Sequence, residues 1–568
     1  MKSLYLWSLC ILLFSCSGKY TSGTDFSDLK RAINLCTPAK EGLATLPGND
    51  GSLVPLFDGI DVYDYPITTK SKIAQMYFNQ GLVLAYGFNY AEAARSFREA
   101  IRRDPECAMC HWGLAYSLGP TYNWPMDMDV LSTARDALYQ AQLNMHSATA
   151  KEQAVIKAMV PRLPKEKVDD MQPYNEAYAE SILEVHHEYP DDVDLTVMAA
   201  EALMILHPWD IWKPDRTSYE WTAQIIEVLE RALSMDEHHP FATHMYIHAM
   251  EAGPDPERAE YAADNLALRV PGEAHLLHMP SHLYINIGEY RKGALANIRS
   301  IKMDSAYHVA CEAAGVYALG ARPHNWHFLA ACLGLEGNTG ALEVSRFMVE
   351  NIVDLEDGQD RAGMLQHFMT IPWHIQVQFA MWDDILEEPL PLQGMPVITS
   401  TWHYARAMAH ASLGESKAAQ SELERLMALL PEVDSLKTYM NSIGDLMRIA
   451  SSTVRGQIAL NQGDFARAIA AFEDAIEIED QLKYIEPPDW FFSVRHRLGD
   501  VLLQAGMYDG AESVYRKDLE RYKKNGWALN GLRIALEKQG RMDEARETQR
   551  AFEDAWAHAN VMPSTSVM

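Results

Sequence analysis

The chain has 568 residues, 48% hydrophobic and 22% charged, the balance of a folded soluble protein rather than a disordered one. With 78 acidic against 49 basic residues its formal charge is -29. Such a surface repels phosphate backbones, and no basic stripe offsets it, so nucleic acid is set aside as a partner and cations, metal ions included, are favoured. A chain this long exceeds one hydrophobic core and reads as several domains or as a repeat array.

At the N-terminus a single positive charge at Lys2 precedes the apolar run Leu4 to Phe14, which is too short to span a bilayer. Leu13-Phe14-Ser15-Cys16 follows and resembles the lipobox of bacterial lipoproteins, although Phe14 is bulkier than the usual residue there. The resemblance implies a signal peptide over 1–15 and lipid on Cys16. Ser17, in place of an aspartate, implies an outer-membrane anchor facing the periplasm. A plain secretory signal cut nearby is the alternative. Of seven cysteines, Cys10 leaves with the signal and Cys16 is lipidated. Cys36, Cys107, Cys110, Cys311 and Cys332 remain, an odd set that cannot be a disulfide framework. Residues 16–70 read as an arm with only short apolar pieces, such as Leu53 to Ile60, a tether that partly docks on the body.

A repeat begins near Ser71. Tyr77, Gly81 and Leu84 line one helix, Ala93, Phe97 and Ala100 the next, and Pro105 closes the unit. Gly113, with Trp112 and Tyr116, opens a second unit, interrupted by the turn from Gly119 to Asp129. Gly456, Ala468, Phe472 and Ala475 repeat the spacing, followed by Gly499, Ala511 and Tyr515 and then by Trp527, Gly531 and Ala545. Paired helices with small residues at their crossings are the signature of tetratricopeptide repeats. The expectation is therefore an all-α, right-handed tetratricopeptide-type superhelix (α-solenoid). Between its ends, helix pairs are expected at 193–206 with 219–235, 241–251 with 256–268, 275–287 with 289–304, 324–335 with 339–352, and 400–413 with 415–430. Gly288, Gly337 and Gly414 mark turns. The body divides into a histidine-rich groove region, 71–430, and C-terminal repeats, 431–568, with Pro431 as the break. Pro487-Pro488-Asp489-Trp490 is expected to start a helix capped by Asp489.

The chain has 21 histidines, and their placement is ordered. If Pro240 opens a helix, His244 and His248 share one face and Glu251 extends it. His275, His278 and His282 lie on the next first-helix, then His324 and His327, with His374 and His403 further on. In tetratricopeptide arrays the first helix of each pair lines the groove, so these imidazoles point inward together. Pairs at i and i+4 can hold one metal ion. No His-Glu-x-x-His is present, so a general-base carboxylate has to come from Glu251 or Glu273. Cys107, Cys110 and His111 suggest a soft-ion or redox site, with a short disulfide as the alternative. Trp112, Trp124 and Trp209 read as packing, the turn Tyr122 to Met126 as a gate, and Arg322 and Arg406 as anion contacts or neutralising charges. Against the metal reading stands the bland one, in which each histidine caps a helix or bonds across a pair.

The motifs Phe-Asn-Gln-Gly at 78–81, Cys-Ala-Met-Cys-His-Trp at 107–112, His239 to Glu251, His275 to His282, Pro487 to Gly499 and Asn525 to Gly531 resemble those of a group of bacterial tetratricopeptide-containing lipoproteins with histidine-rich motifs. That resemblance covers roughly residues 71–560 and implies an architecture and a shared groove, not a reaction. The residues themselves point to an envelope-anchored metalloprotein. Its proposed ligands are His244, His248, His278 and His282, with His327, His374 or His403 completing one or more sites, and Tyr246 and Glu251 serve as catalytic groups. Copper is preferred over zinc or iron because the donors are imidazole-rich and carboxylate-poor, which makes a copper-dependent oxidoreductase the expected chemistry. A peptide- or protein-binding scaffold without enzymatic activity, and a zinc-dependent hydrolase, are the alternatives.

Overall fold

The structure, a computed structural model, describes residues 51–311, 322–352, 363–391 and 394–568, without the side chains of 305–311 and 322. Cys16 and the signal segment lie outside the described residues, as do Cys36 and the side chains of Cys311 and Arg322. Among the described residues the fold is all-α. Helices follow one another in antiparallel pairs, and the only β features are two isolated bridges, Trp212 to Ser218 and Lys437 to Ser442. None of these helices is long and apolar enough to cross a membrane.

The repeat spacing has a steric cause. Phe97, on helix Tyr90–Arg103, lies between Gly81 of helix Lys72–Tyr86 and Gly113 of helix Ala108–Ser117. A Cβ on Gly81 would stand 2.9 Å from the Phe97 ring, and one on Gly113 only 2.3 Å from it. The C-terminal units repeat the device: a Cβ on Gly456 would lie 2.6 Å from Phe472, and Tyr515 fills the space between Gly499 and Gly531 in the same way. Small residues let neighbouring helices close on one large ring, and that burial drives the stacking.

The expected helix pairs are present within a few residues: Val193–Ile205 with Thr222–Met235, Pro240–Met250 with Glu260–Arg269, Arg322–Leu335 with Gly340–Ile352, and Pro396–Ser412 with Ser416–Val433. The expected 275–287 helix is two pieces, Ala274–His278 and Pro280–Ile287, because Pro280 cannot donate back into the preceding turn. Gly288 then ends it at φ 77, a left-handed turn that only glycine adopts freely. Pro431 does not break its helix, which runs on to Val433. The segment around Asp489 is not a helix start either; the next helix is Arg495–Gln504. Asp489 instead accepts hydrogen bonds from Thr438 Oγ1 at 2.7 Å and Asn441 Nδ2 at 2.8 Å. Among the described residues, one cluster of buried apolar side chains runs from Val54 to Ile287 and another from Val377 to Ala545.

Residues 51–70 dock on this body. Val54, Ile60 and Tyr65 are buried. Gln80 both donates to Pro55 O at 2.9 Å and accepts from Phe57 N at 2.8 Å. Thr68 binds the Glu152 carboxylate through its backbone N–H and its hydroxyl, each at 2.6 Å.

Candidate functional site: a buried histidine and carboxylate cluster

Helix Pro240–Met250 starts where Pro240 supplies a preset φ, and the His239 ring caps it by accepting from Ala242 N at 3.2 Å. The far edge of His239 is held by Asp194 at 3.1 Å and by Tyr63 of the docked arm at 2.8 Å. Every residue of this helix is buried. Helix Ala274–His278 begins at Glu273, whose carboxylate accepts from Leu276 N at 2.6 Å. Glu273 thus caps this helix.

With helices Pro280–Ile287 and Arg322–Leu335, which carry His282 and His324, these helices bring six imidazoles together. His244, His248 and His275 place one ring nitrogen each within 4.8 Å of one another, and His278, His282 and His324 do the same. A third set, His248, Glu251 and His282, joins the two. Most of the outer nitrogens are oriented by the protein. His244 Nδ1 faces Tyr86 O at 2.7 Å, His248 Nδ1 faces Glu251 at 3.1 Å, and His278 Nδ1 faces Asn297 Oδ1 at 2.7 Å. His278 and His282 meet Nε2 to Nε2 at 2.9 Å. The inner atoms His244 Nε2, His248 Nε2 and His275 Nε2 are buried without a hydrogen-bond partner.

Glu486, distant in sequence, enters the same cluster. Its Oε2 is 2.8 Å from His282 Nδ1, and Glu251 Oε2 is 3.0 Å from that nitrogen, yet none of the three is aligned for a hydrogen bond. Asn286 and Tyr484 hold the other Glu486 oxygen. Burial pushes both carboxyls well above their usual range, Glu486 further because Glu251 is beside it. Burial also drives the histidines down: His248 to about 3, His278 to about 4, and His244, His275, His282 and His324 well below the ordinary imidazole value. Both shifts favour the uncharged forms, and neutral imidazole is the form that binds metals.

The cluster forms part of the wall of a cavity of about 400 Å³. His248, His275, His282 and His324 line it, together with Phe88, Trp209, Phe368 and Tyr439. Phe88 sits at φ 58 and Trp209 at φ 60, left-handed conformations that are costly for a side chain of this size. Phe88 lies against both His244 and His275, with ring centroids at 4.5 and 5.2 Å. Tyr122, in the turn expected to act as a gate, lies against Trp209 at 5.6 Å and His248 at 5.3 Å.

Other sequence candidates lie elsewhere. Cys107 and Cys110 are joined in a disulfide and offer no thiolate to a metal. His111 faces Pro105 O at 3.0 Å. Tyr246 points away from the cluster: its hydroxyl donates to Glu230 at 2.8 Å beside Arg258. His403 is taken by Glu422 at 2.6 Å, and the same carboxylate accepts from Arg406, which is a neutralising charge. His374 packs between Tyr404 and Trp490 at a separate small pocket. His327 lines the same cavity as the cluster but belongs to none of the three sets. Of the proposed ligands, His244, His248, His278 and His282 come together, and Glu251 joins them. Sequence spacing named His275 and His324 as neighbours without making them ligands. Glu486 carried no signal, since nothing in its local sequence points toward residues some two hundred positions away.

Tetratricopeptide repeat models match residues 78–118, 451–481 and 496–560, the segments in which the glycine and aromatic device recurs. A search of curated proteins finds no match. Among solved structures, the human IFIT1 dimer with m7Gppp-AAAA aligns over 93% of this chain and 99% of its own, at 13% identity and a TM-score of 0.32. The Cut9-Hcn1 hetero-tetramer of the APC/C aligns over 86% of this chain and 74% of its own, at 13% identity and 0.29. The P58(IPK) TPR domain aligns over 82% and 98%, at 12% and 0.20. The protein is a tetratricopeptide-repeat solenoid with clustered histidines able to coordinate a metal.

Proposed function

We propose that this protein is a binding scaffold whose cavity holds a transition metal between helices 240–250 and 274–287 and the start of helix 322–335. One observation carries the reading: imidazoles and carboxylates converge within metal-ligand reach of one another, and Nε2 of His244, His248 and His275, Nδ1 of His282 and Oε2 of Glu251 and Glu486 are buried there without a hydrogen bond. Buried polar atoms are almost always paired. A group of them left unpaired around common points is what a cation would satisfy, and its charge would reverse the local preference for protonated Glu251 and Glu486. Asn297, Tyr86 O and Glu251 would fix the rings of His278, His244 and His248, as outer partners do in metal sites.

Binding, rather than redox turnover, is the function the repeats and the cavity favour. The case for copper weakens because Glu251 and Glu486 make the donor set a mixture of imidazole and carboxylate, which suits zinc or iron as well. Tyr246, offered as a redox partner, is turned away. The rival scaffold, with no metal, needs only the groove. Anchorage in the periplasm through lipid on Cys16 is a further part of the proposal and rests on Leu13-Phe14-Ser15-Cys16 alone. Mass analysis of the mature N-terminus checks it: an unmodified chain cut elsewhere ends it.

Elemental analysis of protein purified without a histidine tag, then reconstituted with zinc, copper and iron in turn, tests the metal. The expected result is at least one tightly held equivalent, largely lost in the double variant His248→Gln with His282→Gln while circular dichroism keeps its helical signal. No retained metal under any loading leaves the metal-free scaffold. Equal loading of the double variant removes these ligands.

A further inference from the structure

The cavity continues past the histidine cluster, and the groups there belong to none of its three close sets. His327 lies one helical turn beyond His324, and both of its ring nitrogens are buried without a partner. Its plane is fixed by stacking on Phe491, at 5.3 Å and 13°, and its edge meets Phe368 at 5.5 Å. His367 stands next to it at 6.3 Å, with Nε2 also unpaired and 3.5 Å from Asp489 Oδ1. Asp489 is itself anchored by Thr438 and Asn441. His327, His367 and Asp489 all line the cavity, as do Phe368, Tyr439 and Trp124.

We propose that this end of the cavity binds a small aromatic molecule carrying a hydroxyl, its ring among Phe368 and the neighbouring aromatic side chains and its hydroxyl on His327. The volume, about 400 Å³, falls in the range of small-molecule sites and is too small for a folded partner. Burial, with His367 and His374 nearby, keeps the His327 ring neutral. A neutral imidazole presents one donor and one acceptor in divergent directions, and a hydroxyl both donates and accepts, so it answers one of the two nitrogens in either tautomer. An apolar ligand would leave them buried and unpaired. A carboxylate would face the carboxylate of Asp489. The rigid aromatic wall adds stacking and edge contacts for a flat ring. The inference does not depend on the metal, because His327 and His367 lie outside the metal-sized sets.

The probes are 4-methylphenol, toluene and sodium benzoate, titrated by calorimetry and by the fluorescence of the cavity tryptophans, on metal-stripped and zinc-loaded protein alike. The expected result is saturable binding of 4-methylphenol, tighter than toluene by about tenfold, the ratio of one satisfied buried hydrogen-bonding group. His327→Leu abolishes that preference while bound metal stays unchanged, and His327→Gln, which keeps a donor and an acceptor, retains part of it. Toluene binding as tightly as 4-methylphenol, benzoate binding more tightly, or no saturable binding of any of the three overturns the proposal. The phenol preference in metal-stripped protein separates its failure from that of the metal reading.

Discussion

Helix Pro240–Met250 is buried at every residue, whereas helix Phe465–Glu479 buries only Ala468, Phe472, Ala475 and Glu479, and helix Met542–Ala555 only Ala545 and Phe552. The C-terminal helices are ordinary amphipathic repeat elements, with an apolar stripe inward and charges out. The central helix has no outward face, so its two histidines cannot be solvated surface residues and must be answered from within. The C-terminal part also holds a buried histidine, His496, but it stands alone, with Nε2 on Asp518 at 3.1 Å and Asn525 at 3.2 Å. The same residue type is therefore a structural joint in one region and a member of a converging set in the other.

The largest effects come from breaking the repeats themselves. Phe97→Ala and Tyr515→Ala each empty a space closed by two glycines, and each is expected to cost about 3–5 kcal/mol, read as a fall in melting temperature. Their consequences differ. Helix Lys72–Tyr86, packed on Phe97, carries the Tyr86 carbonyl that orients His244. Phe97→Ala should therefore also reduce bound metal, and Tyr515→Ala should not. Equal metal loss in both variants would mean that the two regions are one cooperative unit and that the contrast drawn above is too sharp.

A smaller effect sharpens the contrast at the site. Glu486→Gln keeps the shape of the side chain and its bond with Asn286 but removes the carboxylate facing His282. Metal affinity is expected to fall by roughly tenfold to a hundredfold, the usual cost of altering a carboxylate at a metal centre. His496→Gln serves as the control, lowering stability while leaving metal content alone. Competition with a coloured chelator measures both. An unchanged affinity in Glu486→Gln would place the metal nearer His244, His248 and His275.

The architecture was legible because one steric rule repeats. Glycine must face an aromatic ring at each crossing, so Gly81, Phe97 and Gly113 announce the fold, as do Gly499, Tyr515 and Gly531. Half of the site was legible for the same kind of reason: His244, His248, His278 and His282 share helical faces at local spacing. What could not be read were the long-range partners and the side-chain directions. Glu486 and Asp489 reach the cavity from a non-helical segment that has no periodicity. Tyr246 lies between the two site histidines in sequence but 200° around the helix from His244, at about 100° per residue, and turns outward to Glu230. Cys107 and Cys110, spaced like ligands, are close enough to bond to each other.

The smallest predicted effect lies where the central helices meet the C-terminal repeats. Gly334 O accepts from Trp527 Nε1 at 3.1 Å, and Gly337 O accepts from Asn560 N at 3.1 Å. Between them Glu336 is 2% exposed, with Arg291 Nη1 at 3.4 Å from one oxygen and the other unpaired. Burial raises its carboxyl to about 7, against the partial opposing pull of Arg291. A carboxyl whose folded value is raised holds its proton in the folded chain at pH values where the unfolded chain has lost it. This group's contribution is therefore most favourable below the unfolded value of 4.5, declines as pH rises toward about 7, and is a constant penalty above that. Glu336→Gln, which mimics the protonated form, should leave stability unchanged near pH 4.5 and raise it at pH 8 by roughly 1–3 kcal/mol. Urea denaturation of both proteins at the two pH values measures the difference. A gap of the same size at both would mean that packing, not the buried charge, sets the stability of this seam.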